Sequence, residues 1–309
     1  MTRRDAATTT GGGLAFGAGA YLCWGFFPLY WPLLDPAGSL EVLAHRIVWS
    51  LVFVLVCIAA TRRWRRFAAI ARNRRVMFFL ALASVAIALN WGGFIYGVNS
   101  GHVVEVSLGY FINPLVTVLL GVLVLKETLR PAQWVAVSIG AVAVVILTVD
   151  YGRPPWIALL LAGSFASYGF LKKRASLGAF EGLGMETLIL TPVALGFLLA
   201  LQLRGELTFG HAGLSNALLL ALTGVVTAIP LLMFGAAATR LSLSTIGLLQ
   251  YLAPVLQFIL GLLVFGEQMS GARWAGFVLV WSGLAIFTID AIGNRRRILR
   301  QAAENAEAC

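Results

Sequence analysis

Residues 108–150 align without a gap on residues 248–290, and each copy carries a proline inside an apolar run long enough to cross a bilayer. Pro114 matches Pro254, Gly121 matches Gly261, Glu127 matches Glu267, Trp134 matches Trp274 and Asp150 matches Asp290. Such a chain is duplicated, and its helix breakers fall at the same place in both halves. Interruptions of that kind are placed where a bundle encloses a site rather than where it meets lipid.

Composition agrees with membrane burial. Hydrophobic residues make up 60% of the 309 and charged residues 12%, against about 45–50% and about 25% in soluble domains. The mean hydropathy is +0.88. A membrane helix needs about 20 apolar residues. Ten runs qualify, near 14–34, 41–60, 76–98, 104–125, 131–149, 155–171, 183–203, 214–237, 243–265 and 272–291. The first continues through Trp24, Phe26, Phe27, Tyr30 and Trp31, beyond the h-region of a signal peptide, and is read as the first helix. Cys23, Cys57 and Cys309 have neither metal-ligand nor disulfide-framework spacing.

The basic residues set the orientation. With the N-terminus in the cytoplasm, 19 of the 23 Lys and Arg residues fall on the inner side; Arg153, Arg204 and Arg273 fall outside, and Arg46 lies within a helix. Both termini are therefore expected in the cytoplasm. The net charge of +10 follows from this placement against anionic lipid, not from nucleic-acid binding. The Arg-rich stretch from Arg62 to Arg75 is expected to be an interfacial turn, with Trp64 and Phe67 dipping into lipid.

Five helices per copy is an odd number, so the second copy starts on the opposite side of the membrane. The expected fold is an all-α integral membrane bundle of ten transmembrane helices in two inverted five-helix repeats. The repeats span 14–150 and 151–291, with cytoplasmic tails 1–13 and 292–309.

Pro114 and Pro254 stand in helices four and nine. Each removes a backbone hydrogen bond, which would free the carbonyls of Tyr110 and Gln250. Polar and aromatic side chains cluster at these breaks: Tyr110 and Asn113 on helix four, Gln250, Tyr251 and Gln257 on helix nine. Helix three adds Asn90, Trp91 and Tyr96, and helix one adds Trp24 and Tyr30. These are the candidate lining of a cavity, with interhelical hydrogen bonding as the other reading. Trp31, Trp134, Trp156 and Trp274, near helix ends, read as interfacial belt residues.

Helix two carries Glu41, His45 and Arg46. Glu41 and His45 share a face, and His45 is a candidate proton carrier. Two readings are open for Arg46: it binds an anionic group of a solute, or it pairs with Glu41, Glu105 or Glu186. Glu127 and Glu267 precede helices five and ten, where a carboxylate favours the helix N-terminus.

The stretch from Gly19 to Trp31, the Ala44-His45-Arg46 helix, and Leu89-Asn90-Trp91 leading through Val98-Asn99-Ser100-Gly101-His102 to Asn113-Pro114-Leu115 resemble the RarD-type branch of the EamA group in the drug/metabolite transporter superfamily. The resemblance covers nearly the whole chain and is strongest over 13–137. It implies two five-helix EamA repeats, a plasma-membrane location and a transporter role. The second copy has Ala253-Pro254 where the first has Asn113-Pro114.

The expected function is secondary transport of a small polar or amphipathic metabolite or drug-like solute by alternating access. The cavity would be lined by helices one, three, four and nine. A receptor or other non-transporting membrane protein is the alternative. An embedded enzyme is a third reading with little in its favour: there is no His-Glu-x-x-His, and Gly97-Val98-Asn99-Ser100-Gly101 is one residue too long for an intramembrane serine-protease motif. No nucleotide-binding loop, metal site or cofactor motif is present. The expected partners are the solute and the bilayer.

Overall fold

The computed structural model describes residues 3–126, 129–175, 177, 179–238, 240–241, 245–246 and 249–307, and all regular structure among them is helical. In chain order the helices are α1 (Arg3–Tyr30), α2 (Ser39–Ala60), α3 (Trp64–Ala71), α4 (Arg74–Asn99), α5 (Val103–Leu125), α6 (Pro131–Tyr151), α7 (Trp156–Ala175), α8 (Ala179–Arg204), α9 (Leu214–Ala238), α10 (Leu252–Leu263) and α11 (Gly271–Glu307).

Local chemistry explains the ends. Pro32 lacks an N–H, and α1 tightens there into a 3₁₀ turn, Trp31–Leu34. Asn73 caps α4 by accepting from the Val76 N–H at 3.2 Å. Pro131 opens α6, with the Gln133 side chain accepting from the Arg130 N–H. Gly152, at φ 65°, ends α6 in the left-handed region that glycine adopts without strain.

Among the described residues eight helices are long and apolar enough to span a membrane; Trp156–Lys172 and Leu252–Leu263 are shorter apolar helices. Val149 and Leu203, at 77% and 80% exposed, belong to an apolar outer surface that only lipid would solvate. The protein is thus a multi-pass membrane protein.

The packing pairs come in matched sets. α4 packs on α7 and α1 on α9; α5 on α7 and α1 on α10; α2 on α9 and α4 on α8. Three further pairs join corresponding helices: α6 with α11, α2 with α8, and α5 with α10. Lipid offers no hydrophobic drive for helix association, so close approach must supply it. A Cβ at Gly224 on α9 would sit 2.3 Å from the Trp49 carbonyl of α2, and one at Gly109 on α5 would sit 2.9 Å from that of Ala158 on α7.

The repeated aspartates are structural clamps. Asp150, at the end of α6, accepts from Ser270 at 2.6 Å and from Arg273 at 2.7 Å, at the start of α11. Asp290 on α11 pairs with Arg130 at the start of α6, 2.5 Å apart.

Two expectations need correction. The Arg62–Arg75 connection contains a helix, α3, and Phe67 does not enter lipid: it is 6% exposed and packs in a core cluster with Val54 and Leu183, leaving Trp64 exposed. At Pro254 the Gln250 N–H bonds the Ile246 carbonyl at 3.0 Å and the Val255 N–H bonds the Tyr251 carbonyl at 3.1 Å, while Pro254 has no N–H to offer Gln250; α10 is counted from Leu252, just past that gap. Glu267 does not serve its own following helix, but accepts from the Val104 N–H at the start of α5, 3.0 Å away. Glu127 lies outside the described residues.

Candidate functional site

Arg46 is 4% exposed and sits where helices of both halves meet. Its Nε donates to Thr227 Oγ1 of α9 at 2.9 Å. Its guanidinium carbon lies 4.1 Å from the ring centre of Trp91 (α4), 5.1 Å from Trp31 and 5.8 Å from Phe27 (α1). Among the described residues, the guanidinium Nη groups have no acceptor.

The three carboxylates expected to neutralise Arg46 are engaged elsewhere. Glu41 accepts from the Thr208 N–H and hydroxyl at 2.9 and 2.8 Å and from the Phe209 N–H at 3.2 Å. Glu105 pairs with Arg153 at 2.9 Å and accepts from the Ile157 N–H. Glu186 pairs with Lys172 at 2.5 Å and accepts from the Tyr168 hydroxyl. The ion-pair reading of Arg46 is therefore not what the fold builds. A desolvated cation–π contact contributes about 2 kcal/mol, whereas burying an ion costs several kcal/mol even after relaxation. The three rings and Thr227 together offset much of that cost, but they supply no negative charge.

Asn90 joins three helices beside this cage. It accepts from the Tyr110 hydroxyl of α5 at 3.1 Å and donates to the Leu161 carbonyl and Ser164 Oγ of α7, at 3.1 and 3.2 Å. Gln257 of α10 donates to the Trp24 carbonyl of α1 at 3.1 Å, and its buried Oε1 has no partner. Asn113 Oδ1 is likewise buried without a partner, one residue before Pro114, which stands inside α5. His45 is buried with neither ring nitrogen bonded; it stacks on Phe209 with centroids 4.7 Å apart and lies 3.9 Å from Glu41.

The remaining candidates are peripheral to the cage. Tyr30 donates to the Leu219 carbonyl at 2.5 Å, tying α1 to α9. Tyr251 is hydrogen-bonded with Gln250 and Thr288, at the break before Pro254. Tyr96 is 46% exposed and packs on Trp156 at the surface, away from Asn90 and Arg46. Trp134, Trp156 and Trp274 are exposed, as belt residues should be. Trp31 is not: it is fully buried, with its indole N–H unpartnered. Trp31 and Thr227 are the residues that sequence reasoning missed. Thr227 carried a weak signal as a hydroxyl four residues after Thr223 within an apolar run.

Two hollows open at the end of the bundle that carries the α4–α5 and α10–α11 connections. One, about 640 Å³, is lined by Trp31, Pro36, Asn99 and Phe265, so that Trp31 separates it from Arg46. The other, about 350 Å³, is lined by His102, Glu105, Tyr151, Arg153, Glu267 and Arg273. There burial pushes the Glu267 carboxyl up to about 7 despite the Val104 and Val103 N–H groups and Arg273. Among the described residues no group of three His, Cys, Asp or Glu is placed to hold a metal ion.

The model of the EamA-like transporter family matches the chain twice, over residues 11–149 and 154–289. The chain is 56% identical over 285 residues to protein RarD of Streptomyces exfoliatus, covering 92% of this chain and 90% of that protein. It is 43% identical over 294 residues to the uncharacterized transporter YojE of Bacillus subtilis (strain 168), covering 92% and 96%. A crystal structure at 19% identity superposes with a TM-score of 0.58 over 90% of this chain and 97% of that one, a likeness of fold.

Proposed function

We propose, from the premise that this chain belongs to the EamA-like transporter family of the drug/metabolite transporter superfamily, that it is a secondary transporter working by alternating access. It moves a small polar or amphipathic solute as an exporter or permease, through an interior site between α1, α2, α4, α5, α9 and α10. The observation that carries this reading is Arg46, a buried cation of the first half that is held by Thr227 of the second. A group contacted by both halves is where their relative motion can change access.

The matched packing pairs support ten membrane helices in two inverted halves, 14–150 and 151–291, because exchange of the halves maps each pair on another. The basic residues support a plasma-membrane protein with both termini in the cytoplasm. The chain acts without ATP, nucleic acid, metal or cofactor, and it is not an enzyme.

Metabolite profiling of cells with and without the protein, followed by flux of the enriched solute into proteoliposomes, tests the reading. Flux that depends on the protein and on a solute gradient is expected; solute binding with no flux would leave a receptor. Reporter fusions after Cys309 and within Arg62–Arg75 should both report cytoplasm, and an external signal at either would overturn the orientation.

A further inference from the structure

We infer that the interior site takes a monoanion, a carboxylate carried on an apolar or aromatic body, with its charge seated on Arg46; this rests on the reading of the chain as a transporter. The guanidinium spends its Nε on Thr227, while among the described residues its two Nη groups have no acceptor. Two parallel Nη–H donors match the two oxygens of a carboxylate. A second donor in the same cage also lacks an acceptor: the buried indole N–H of Trp31, whose ring centre is 5.1 Å from the guanidinium. Both deficits are of acceptors, and an anion supplies them.

The charge balance sets the valence. Lys172, whose ammonium is largely buried, is already neutralised by Glu186, and Glu41 and Glu105 are spent on the Thr208–Phe209 backbone and on Arg153. Glu41 keeps its charge but is held by neutral donors of Thr208 and Phe209 rather than against the guanidinium, so the cation facing the site is Arg46, and one negative charge neutralises it. A cationic solute meets repulsion, a neutral one leaves the guanidinium unpaired, and a dianion leaves its second charge buried. The rings against Arg46 are Phe27, Trp31 and Trp91, with the Thr227 hydroxyl on its Nε, so the rest of the solute meets mainly rings.

Benzoate and benzamide share a shape and differ in charge, and thermal unfolding of the detergent-purified full chain with each tests the site. Benzoate should raise the unfolding midpoint by several degrees and benzamide should not. Arg46→Met, of similar reach without the charge, should unfold no lower than the parent in the absence of ligand, because an uncompensated buried charge is gone; its benzoate response should vanish. Trp31→Phe should lower the resting midpoint, since it shrinks a fully buried side chain, and should still respond to benzoate but bind it about tenfold more weakly, the worth of one hydrogen bond to a charged group. Collapse of Arg46→Met would make Arg46 a structural cation and overturn the inference. Equal responses to the two probes, or a benzoate response that survives Arg46→Met, would overturn it as well. Flux in proteoliposomes separates the two readings. Benzoate bound through Arg46 but never carried defeats transport and leaves the anion site standing. Transport of a cellular solute unchanged by Arg46→Met defeats the anion site and leaves transport standing.

Discussion

At Glu267 burial outweighs hydrogen bonding. The carboxylate accepts from the N–H groups that open α5 and lies near Arg273, yet desolvation, helped by Glu105, lifts its carboxyl from 4.5 to about 7. A carboxyl whose folded value is raised stabilises the fold fully below the unfolded value, and that contribution is lost as pH rises through the folded one. The window is therefore about pH 4.5–7. Glu267→Gln stays neutral throughout, so its thermal midpoint relative to the parent should climb across that window and level off above it. A difference independent of pH would mean that the carboxylate is stabilised by the α5 N-terminus after all. Sequence pairing of Glu127 with Glu267 marked the residue, but not its partner 163 positions away.

Among the elements, α5 and α10 each carry the repeated proline. Pro114 interrupts the hydrogen-bond ladder of a helix that runs on from Val103 to Leu125. Pro254 falls between the Gln250 N–H bond to Ile246 and the Val255 N–H bond to Tyr251, at the start of α10. A proline that removes a helical hydrogen bond costs about 3 kcal/mol. Pro114→Ala and Pro254→Ala are each expected to raise the thermal midpoint of the purified protein, and to slow flux if the break serves motion. A midpoint left unchanged by Pro254→Ala would show that α10 begins afresh at Leu252. The repeated aspartates behave more symmetrically, each clamping one end of the α6–α11 pair.

Across the whole molecule, most of the extensive interfaces join one half to the other. α1 lies on α9 and α10, α7 on α4 and α5, and α6 runs along α11. Each half alone would leave these close-packed faces to lipid, with Asn90 losing Leu161 and Ser164, and Gln257 and Thr227 losing Trp24 and Arg46. Residues 1–152 expressed alone should therefore yield no monodisperse, cooperatively unfolding protein, while co-expression with 153–309 should restore it. Cooperative unfolding of either half by itself would show that the repeats are independent domains.

The sequence by itself determined the membrane class, the ten apolar runs and the duplication, because bilayer thickness and the loss of water impose length and composition directly on a chain. It also marked Arg46, Asn90, Trp91, Tyr110 and Gln257, since polar side chains inside apolar runs are too costly to be incidental. What each of them touches was decided by tertiary structure alone. Whether Arg46 had a carboxylate partner depended on Glu41, Glu105 and Glu186 being spent on other groups, and no spacing along the chain encodes that. Trp31 lies at a helix end and read as a belt residue, yet packing of the Trp31–Leu34 turn against α4 and α9 turns it inward over the guanidinium. Period and composition are local properties of a helix, but a charge is paired or left unpaired only by the helices that surround it.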